Sequence, residues 1–346
     1  MKSRYQDELN TGIKNNINIV ALNGENDSNN FIISNIEKGN FEYRRNNLYI
    51  KVRKNIDKRK YRKAEYLLNT FFKDYPDKKD RRYYYYSGII FEKRGEYIKA
   101  AENYKKAIEI LPSYSRARNK LGSVYYRMRR YDESKEQFIK ALESNPYNPF
   151  IHFNLGNFYF NIGDYDNAIK HLKNAGKYKA NFGSAFNKLG IIMYHKKRYK
   201  DAIDYLMKAI QFKDESHTTY YYTGLSYYHL NNKELSISNL KKAVGMKSDF
   251  FEALVELGKI YQSHGEFSKA IKYYQKATAI NSNFIELRIW IAECYSELEK
   301  YDKSIMIVKE LLKKEPDNGK LLEFLQVLEN KQFNSNINKK DAYFSF

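Results

Sequence analysis

Few side chains in this chain are spaced for chemistry. His195 and His229 stand thirty-four residues apart, which on neighbouring helices separates them by an interaxial distance on the order of 10 Å. A zinc site needs three or four converging ligands, and no third joins this pair, so both read as surface histidines. Cys294 is the single cysteine. It excludes an intramolecular disulfide, fits a reducing compartment, and beside Tyr295 in a helical stretch reads as a packed, inert thiol. Asp132 and Glu133 lie on a helix surface, where solvated carboxylates are the default. No nucleophile is spaced with a base, and no glycine-rich phosphate loop is present. No enzyme, cofactor or metal is expected.

What remains is binding chemistry. The chain holds 34 tyrosines and a net charge of +20, with the excess confined to residues 41–200 and the last stretch, 201–346, balanced. Such a half attracts acidic partners at moderate salt. The run 51–63 (KVRKNIDKRKYRK) and the arginines at 116, 118, 127, 129 and 130 could also contact phosphates, with tyrosines to stack on bases. Abundant Lys, Asn, Ile and Tyr is equally what an AT-rich genome supplies, so a functional and a compositional origin both stand. Apolar stretches fall far short of the roughly 20 residues of a membrane span. The N-terminus lacks the charged-then-apolar order of a signal peptide, and a cytoplasmic monomer is expected.

The elements that position these residues are set by a period. Gly88, Gly122, Gly156, Gly190, Gly224 and Gly258 recur every thirty-four residues, as do Ala107, Ala141, Ala175, Ala209, Ala243 and Ala277. A fixed step of this length marks one supersecondary unit stacked on copies of itself. In 149–182, Leu155 and Tyr159, then Ala168, Leu172 and Ala175, fall three or four apart, as one face of each of two helices requires. Gly163 and Asp164 supply the turn. Glycine inside a helix costs about 1 kcal/mol against alanine, so its recurrence predicts close approach of paired helices. Units run 45–78, 81–114, 115–148, 149–182, 183–216, 217–250, 251–284 and 285–318. Residues 1–40 read as a flexible segment, 319–332 as a further amphipathic helix and 333–346 as a disordered tail.

The pattern resembles the tetratricopeptide repeat family. Residues 115–148 carry its signature with Leu121, Gly122, Tyr125, Phe138, Ala141 and Pro146, departing at Ser134. Residues 251–284 carry it with Leu254, Leu257, Gly258, Tyr261, Ala270, Tyr274 and Ala277. The first unit, 45–78, is divergent and matches in its second helix only, through Ala64, Leu68 and Pro76. The last has Ala292 for Gly and Leu311 for Ala.

The resemblance implies an all-α fold: a right-handed α-solenoid of stacked antiparallel helix pairs with a C-terminal capping helix. It also implies a concave groove, lined by the first helices, that holds a peptide or helix of a partner protein. On that frame Tyr85, Tyr86, Arg116, Asn119, Lys120 and Tyr126 face inward, followed by Phe153, Asn154, Asn157 and Asn161, then Asn187, Lys188, Tyr221 and Tyr222. Glu252, Glu256, Glu286, Glu293 and Glu297 turn the far end acidic. The family's clamp for chaperone C-terminal carboxylates is not expected, since only Asn154 and Lys188 match it. The functional expectation is a non-catalytic scaffold whose basic half favours acidic partners, with nucleic-acid or anionic-surface binding through 41–200 as the alternative.

Overall fold

The computed structural model describes residues 26–344. Among these residues there are seventeen α-helices, one 3-10 turn and no strand. The chain divides into two compact units, Met1–Pro146 and Tyr147–Phe346.

The first unit holds α1 (Asn26–Asp57), α2 (Tyr61–Lys73), the 3-10 turn Pro76–Lys78, α3 (Arg81–Lys93), α4 (Tyr97–Ile110), α5 (Ser115–Arg127) and α6 (Tyr131–Ser144). The second holds α7 (Pro149–Asn161), α8 (Tyr165–Tyr178), α9 (Gly183–His195), α10 (Tyr199–Gln211), α11 (His217–His229) and α12 (Lys233–Met246). It continues with α13 (Phe251–Ser263), α14 (Phe267–Ile280), α15 (Ile285–Glu297), α16 (Tyr301–Leu312) and α17 (Gly319–Phe344). Within each unit every helix packs on the one before and the one after it. This is the all-α solenoid of stacked helix pairs that the period predicts.

The recurring glycines seat large side chains. A Cβ added at Gly88, Gly122, Gly156, Gly190, Gly224 or Gly258 would fall 2.3–2.9 Å from an atom of Tyr104, Phe138, Leu172, Leu206, Leu240 or Tyr274, respectively. Each partner lies sixteen residues on, in the second helix of the pair, and is buried. Ala107, Ala141, Ala175, Ala209, Ala243 and Ala277 are fully buried on the same helices. Bringing backbones this close recovers dispersion contacts that a Cβ would block. Ser134, the departure from the repeat motif, is also explained. Its buried hydroxyl donates to the Gly122 carbonyl at 2.7 Å, as Ser304 does to Ala292 at 2.7 Å. At the same register the Ser236 hydroxyl is buried without a hydrogen-bond partner.

The turn inside each pair has its own period. Gly95, Arg129, Gly163, Lys197, Asn231, Gly265 and Glu299 all take a positive φ, between 55 and 81°. Gly163 is therefore a residue fitted to its backbone, whereas Arg129, Lys197 and Glu299 adopt a conformation costly for a side chain with a Cβ.

The ends differ from the sequence expectation. Residues 1–25 lie outside the described residues, but α1 begins at Asn26, inside the stretch expected to be flexible. The terminal helix runs past residue 332 to Phe344. Leu321 and Leu328 anchor it on Ala292, Val308 and Leu311. The Cys294 thiol is fully buried, and burial, with Glu293 and Glu297 nearby, pushes its pKa up to about 12.

Between α7 and α8 the His152 and His171 Nδ1 atoms lie 3.0 Å apart. Tyr159 stacks on His171 at 5.7 Å, and Tyr178 sits 5.5 Å from His152. Burial, then His152 and Lys170, lower the His171 pKa to about 4. The folded chain thus keeps this imidazole neutral, while the unfolded chain protonates it below about 6.5. Stability should be complete above pH 6.5 and fall as the pH drops toward 4. With solvent screening allowed for, we expect a loss of about 1 kcal/mol between pH 7 and 5. His171→Gln should flatten this part of a melting-temperature profile, and an unchanged slope would remove the assignment.

Candidate functional site

In the first unit the polar and aromatic residues of α3 and α5 are already bound to one another. Asp80 caps α3, accepting from the Arg82 and Tyr83 amides at 3.0 Å each and from the Tyr49 hydroxyl at 2.5 Å. Burial pushes its carboxyl up, but the Tyr49 bond, the Tyr83 amide and Arg82 outweigh that and hold it below the usual range. The Arg45 guanidinium stands 3.6 Å from the same carboxylate. Tyr86 stacks on Tyr49 at 5.5 Å, and Tyr85 contacts Tyr86 and Tyr114 at 5.6 and 5.3 Å. Lys120 pairs with Glu92 at 3.3 Å, and Glu92 also accepts from the Tyr104 hydroxyl at 2.7 Å. Asn119 and Tyr126 are half-buried, and Arg116 is exposed.

A dense group of exposed cations lies elsewhere in this unit. Lys51, Arg53, Lys54, Lys58, Arg59, Lys60, Arg62 and Lys63 are all exposed around the turn from α1 to α2. The ion pair there, Arg53 with Asp57, is long at 4.0 Å.

In the second unit the first helices α7, α9 and α11 present a row of rings. Phe153 packs on Phe182 at 4.9 Å. Tyr194 meets Tyr222 at 5.2 Å and His229 at 5.8 Å, and Tyr222 meets His195 at 5.8 Å and Tyr221 at 5.2 Å. Tyr194, Tyr221 and Tyr222 are each half-buried, with the two histidines exposed beside them. Edge-to-face pairs of this kind hold rings rigidly while leaving faces accessible. Asn154 and Asn157 are half-buried, and the Asn157 Oδ1 is buried without a hydrogen-bond partner. Asn161 is exposed at the end of α7. The Lys188 ammonium lies over the Phe160 ring at 4.7 Å, and burial lowers its pKa.

Asn187 is placed differently from the sequence expectation. It is buried, and its side-chain amide donates to the Thr219 hydroxyl of α11. It ties two first helices together and does not face solvent. The histidines also find a role that their spacing did not reveal. His195 stacks on Tyr165 and His229 on Tyr199, at 6.1 and 4.3 Å with ring planes within 9°. The Arg127 guanidinium lies 5.9 Å over the Tyr97 ring in the same manner. The missed signal was the aromatic opening all but one of the second helices, at Tyr61, Tyr97, Tyr131, Tyr165, Tyr199, Phe267 and Tyr301, with Lys233 opening α12 instead. Among the described residues no cluster of three or more His, Cys, Asp or Glu could hold a metal ion. No described helix is long and apolar enough to cross a membrane.

Stacked helix pairs that each pack on their neighbours define a class of repeat solenoid. Tetratricopeptide repeat family models match residues 88–128, 119–182, 162–217 and 251–284. The chain is a tetratricopeptide repeat protein, and such repeats generally mediate protein–protein interaction as non-catalytic scaffolds. It is similar to the C-terminal part of a repeat-containing protein from Cytophaga hutchinsonii, at 18% identity and a TM-score of 0.57, over 70% of this chain and 98% of that one. It is also similar to pilF of Pseudomonas aeruginosa, at 18% identity and 0.52, over 61% and 96%. A tetratricopeptide repeat protein from Parabacteroides merdae matches at 14% identity and 0.51, over 72% and 98%. Identities this low show the shared fold alone. No curated protein matches the chain.

Proposed function

We propose that this chain is a scaffold that captures a peptide or helix of a partner protein on its first-helix face. The observation that carries the reading is the row of half-exposed rings and amides on successive first helices, from Phe153 and Asn154 to Tyr221 and Tyr222. These side chains contribute accessible aromatic and hydrogen-bonding surface, the chemistry enriched at protein interfaces. The exposed cations of the first unit would draw acidic partners to that unit, so capture of such a partner there should weaken as salt rises.

The test is capture of binding partners by wild type and by a Tyr221→Ala, Tyr222→Ala, Asn154→Ala variant that keeps its helical spectrum. We expect at least one partner to be lost only by the variant, with an affinity drop of about tenfold or more. Equal recovery by both proteins would move binding away from this face.

The exposed cations around the α1–α2 turn favour a second reading, in which that elbow binds a polyanion such as nucleic acid or an anionic surface. An oligonucleotide shift abolished by Lys58→Glu and Arg62→Glu would support it. No shift at physiological salt would remove its nucleic-acid form.

A further inference from the structure

The last first helices of the second unit, α13 and α15, place carboxylates where earlier first helices carry Arg116, Lys120 and Lys188. We propose that the first-helix face of this unit, from Tyr194 and Tyr222 to Glu252 and Glu286, binds an extended segment of another protein that presents lysine or arginine side chains. This rests on the groove reading above and names the kind of partner.

Glu252 on α13 and Glu286 on α15 are exposed and make no ion pair or hydrogen bond among the described residues. They occupy the same register one repeat apart, which separates them by about 10 Å. An extended chain rises about 3.3 Å per residue, so cations three residues apart span that gap. The rings beside them suit the same ligand, because cations bind over the negative faces of aromatic rings.

The cations native to this face are already engaged. Lys259 pairs with Glu256 at 3.0 Å and lies 5.4 Å over Trp290, and Lys188 is held on Phe160. Gln262 donates to Glu293 at 3.1 Å, leaving that carboxylate uncompensated by a charge. The carboxylates add to the effect of burial on the neighbouring phenols. Burial, then Tyr199, Glu256 and Tyr222, push the Tyr194 pKa up to about 12. Burial raises Tyr221 and Tyr222 as well, aided by Glu256 and Glu252 at the former and Glu252 at the latter. In the first unit the equivalent upward push on Tyr85 and Tyr114 is opposed by Arg116, with Arg81 adding at Tyr114. An acidic segment on the second-unit face would meet Glu252 and Glu286 unshielded, whereas a basic one would neutralise them.

The experiment is fluorescence anisotropy on the full chain with three labelled peptides. One carries lysine at every third residue in a Gly/Ser background, and the others carry glutamate or serine in its place. We expect the lysine peptide to bind, to weaken about tenfold in a Glu252→Gln, Glu286→Gln variant, and to be unaffected by Glu234→Gln, an exposed carboxylate on the second helix α12. Tighter binding of the glutamate or serine peptide, or no response to the glutamate substitutions, overturns the proposal. If all three peptides bind equally and all are lost in Tyr221→Ala, Tyr222→Ala, the groove reading stands and the basic partner falls. If no peptide binds, the basic partner falls, and the groove reading is decided by the capture comparison with the Tyr221→Ala, Tyr222→Ala, Asn154→Ala variant. A dimer in sedimentation equilibrium that Glu252→Gln dissolves would assign the face to a second copy of this chain and overturn a foreign partner.

Discussion

Gly258→Ala should destabilise the second unit by about 2 kcal/mol, although the same change in an ordinary helix stabilises. The new Cβ would stand 2.3 Å from the Tyr274 Cε1 and 2.5 Å from its Cδ1. That ring cannot step aside. It is fully buried, packed at 5.4 Å on Trp290, and tied through its hydroxyl to Gln262 at 2.7 Å. Overpacking of this kind costs up to about 3 kcal/mol, and the gain in helix propensity returns about 1. Gly245→Ala is the matched control, since Gly245 sits in α12 with no atom within 4 Å of its added Cβ. It should stabilise by about 0.5–1 kcal/mol. Urea or thermal melts distinguish the two directly, because a net 2 kcal/mol lowers Tm by about 4–8 °C at this size. Each pair packs mainly on its neighbours, so hydrogen exchange should quicken first in α13 and α14. If both substitutions stabilise, the recurring glycine is not there to seat the ring.

The period made the helix pairs and the glycine seats legible before any coordinates, because both depend on residues that repeat in phase. What it could not decide was the fate of positions between neighbouring first helices. Tyr221 and Asn187 share the fifth position of their repeats, yet Tyr221 stays half-exposed and Asn187 is buried. The difference lies in the next helix, where Thr219 offers Asn187 a hydroxyl within reach. A single repeat does not contain that information. Charge behaved similarly. The basic composition was visible, but Arg82, Arg45 and Lys120 turn out to be consumed by Asp80 and Glu92. The densest group of open cations sits around the α1–α2 turn, where the motif match is poorest. The stacking of His195 and His229 on Tyr165 and Tyr199 joins positions thirty residues apart, a spacing that only the superposed repeats of neighbouring pairs reveal.

A double-mutant cycle tests whether glycine and its partner act as one device. Leu206→Ala should cost about 2–5 kcal/mol, since Leu206 is fully buried and its removal leaves a cavity. Gly190→Ala alone should cost about 1–2 kcal/mol, with its Cβ 2.5 Å from the Leu206 Cγ and 2.9 Å from the Cδ2. Together they should cost less than the sum by about 1–2 kcal/mol, because Leu206→Ala deletes both side-chain atoms that the Cβ of Gly190→Ala strikes. The relief is incomplete for a stated reason. The Ala202 carbonyl oxygen lies 3.1 Å from the same Cβ and remains after Leu206 is cut back, so the helix backbones must still part slightly. Strict additivity in urea titrations would mean that the two residues stabilise the pair separately, one through backbone approach and the other through burial alone. A coupling of the expected size would mean that a large side chain at this register needs its glycine. The six-fold recurrence would then reflect a packing requirement of each pair, independent of whatever segment the solvent-facing side of the helices captures.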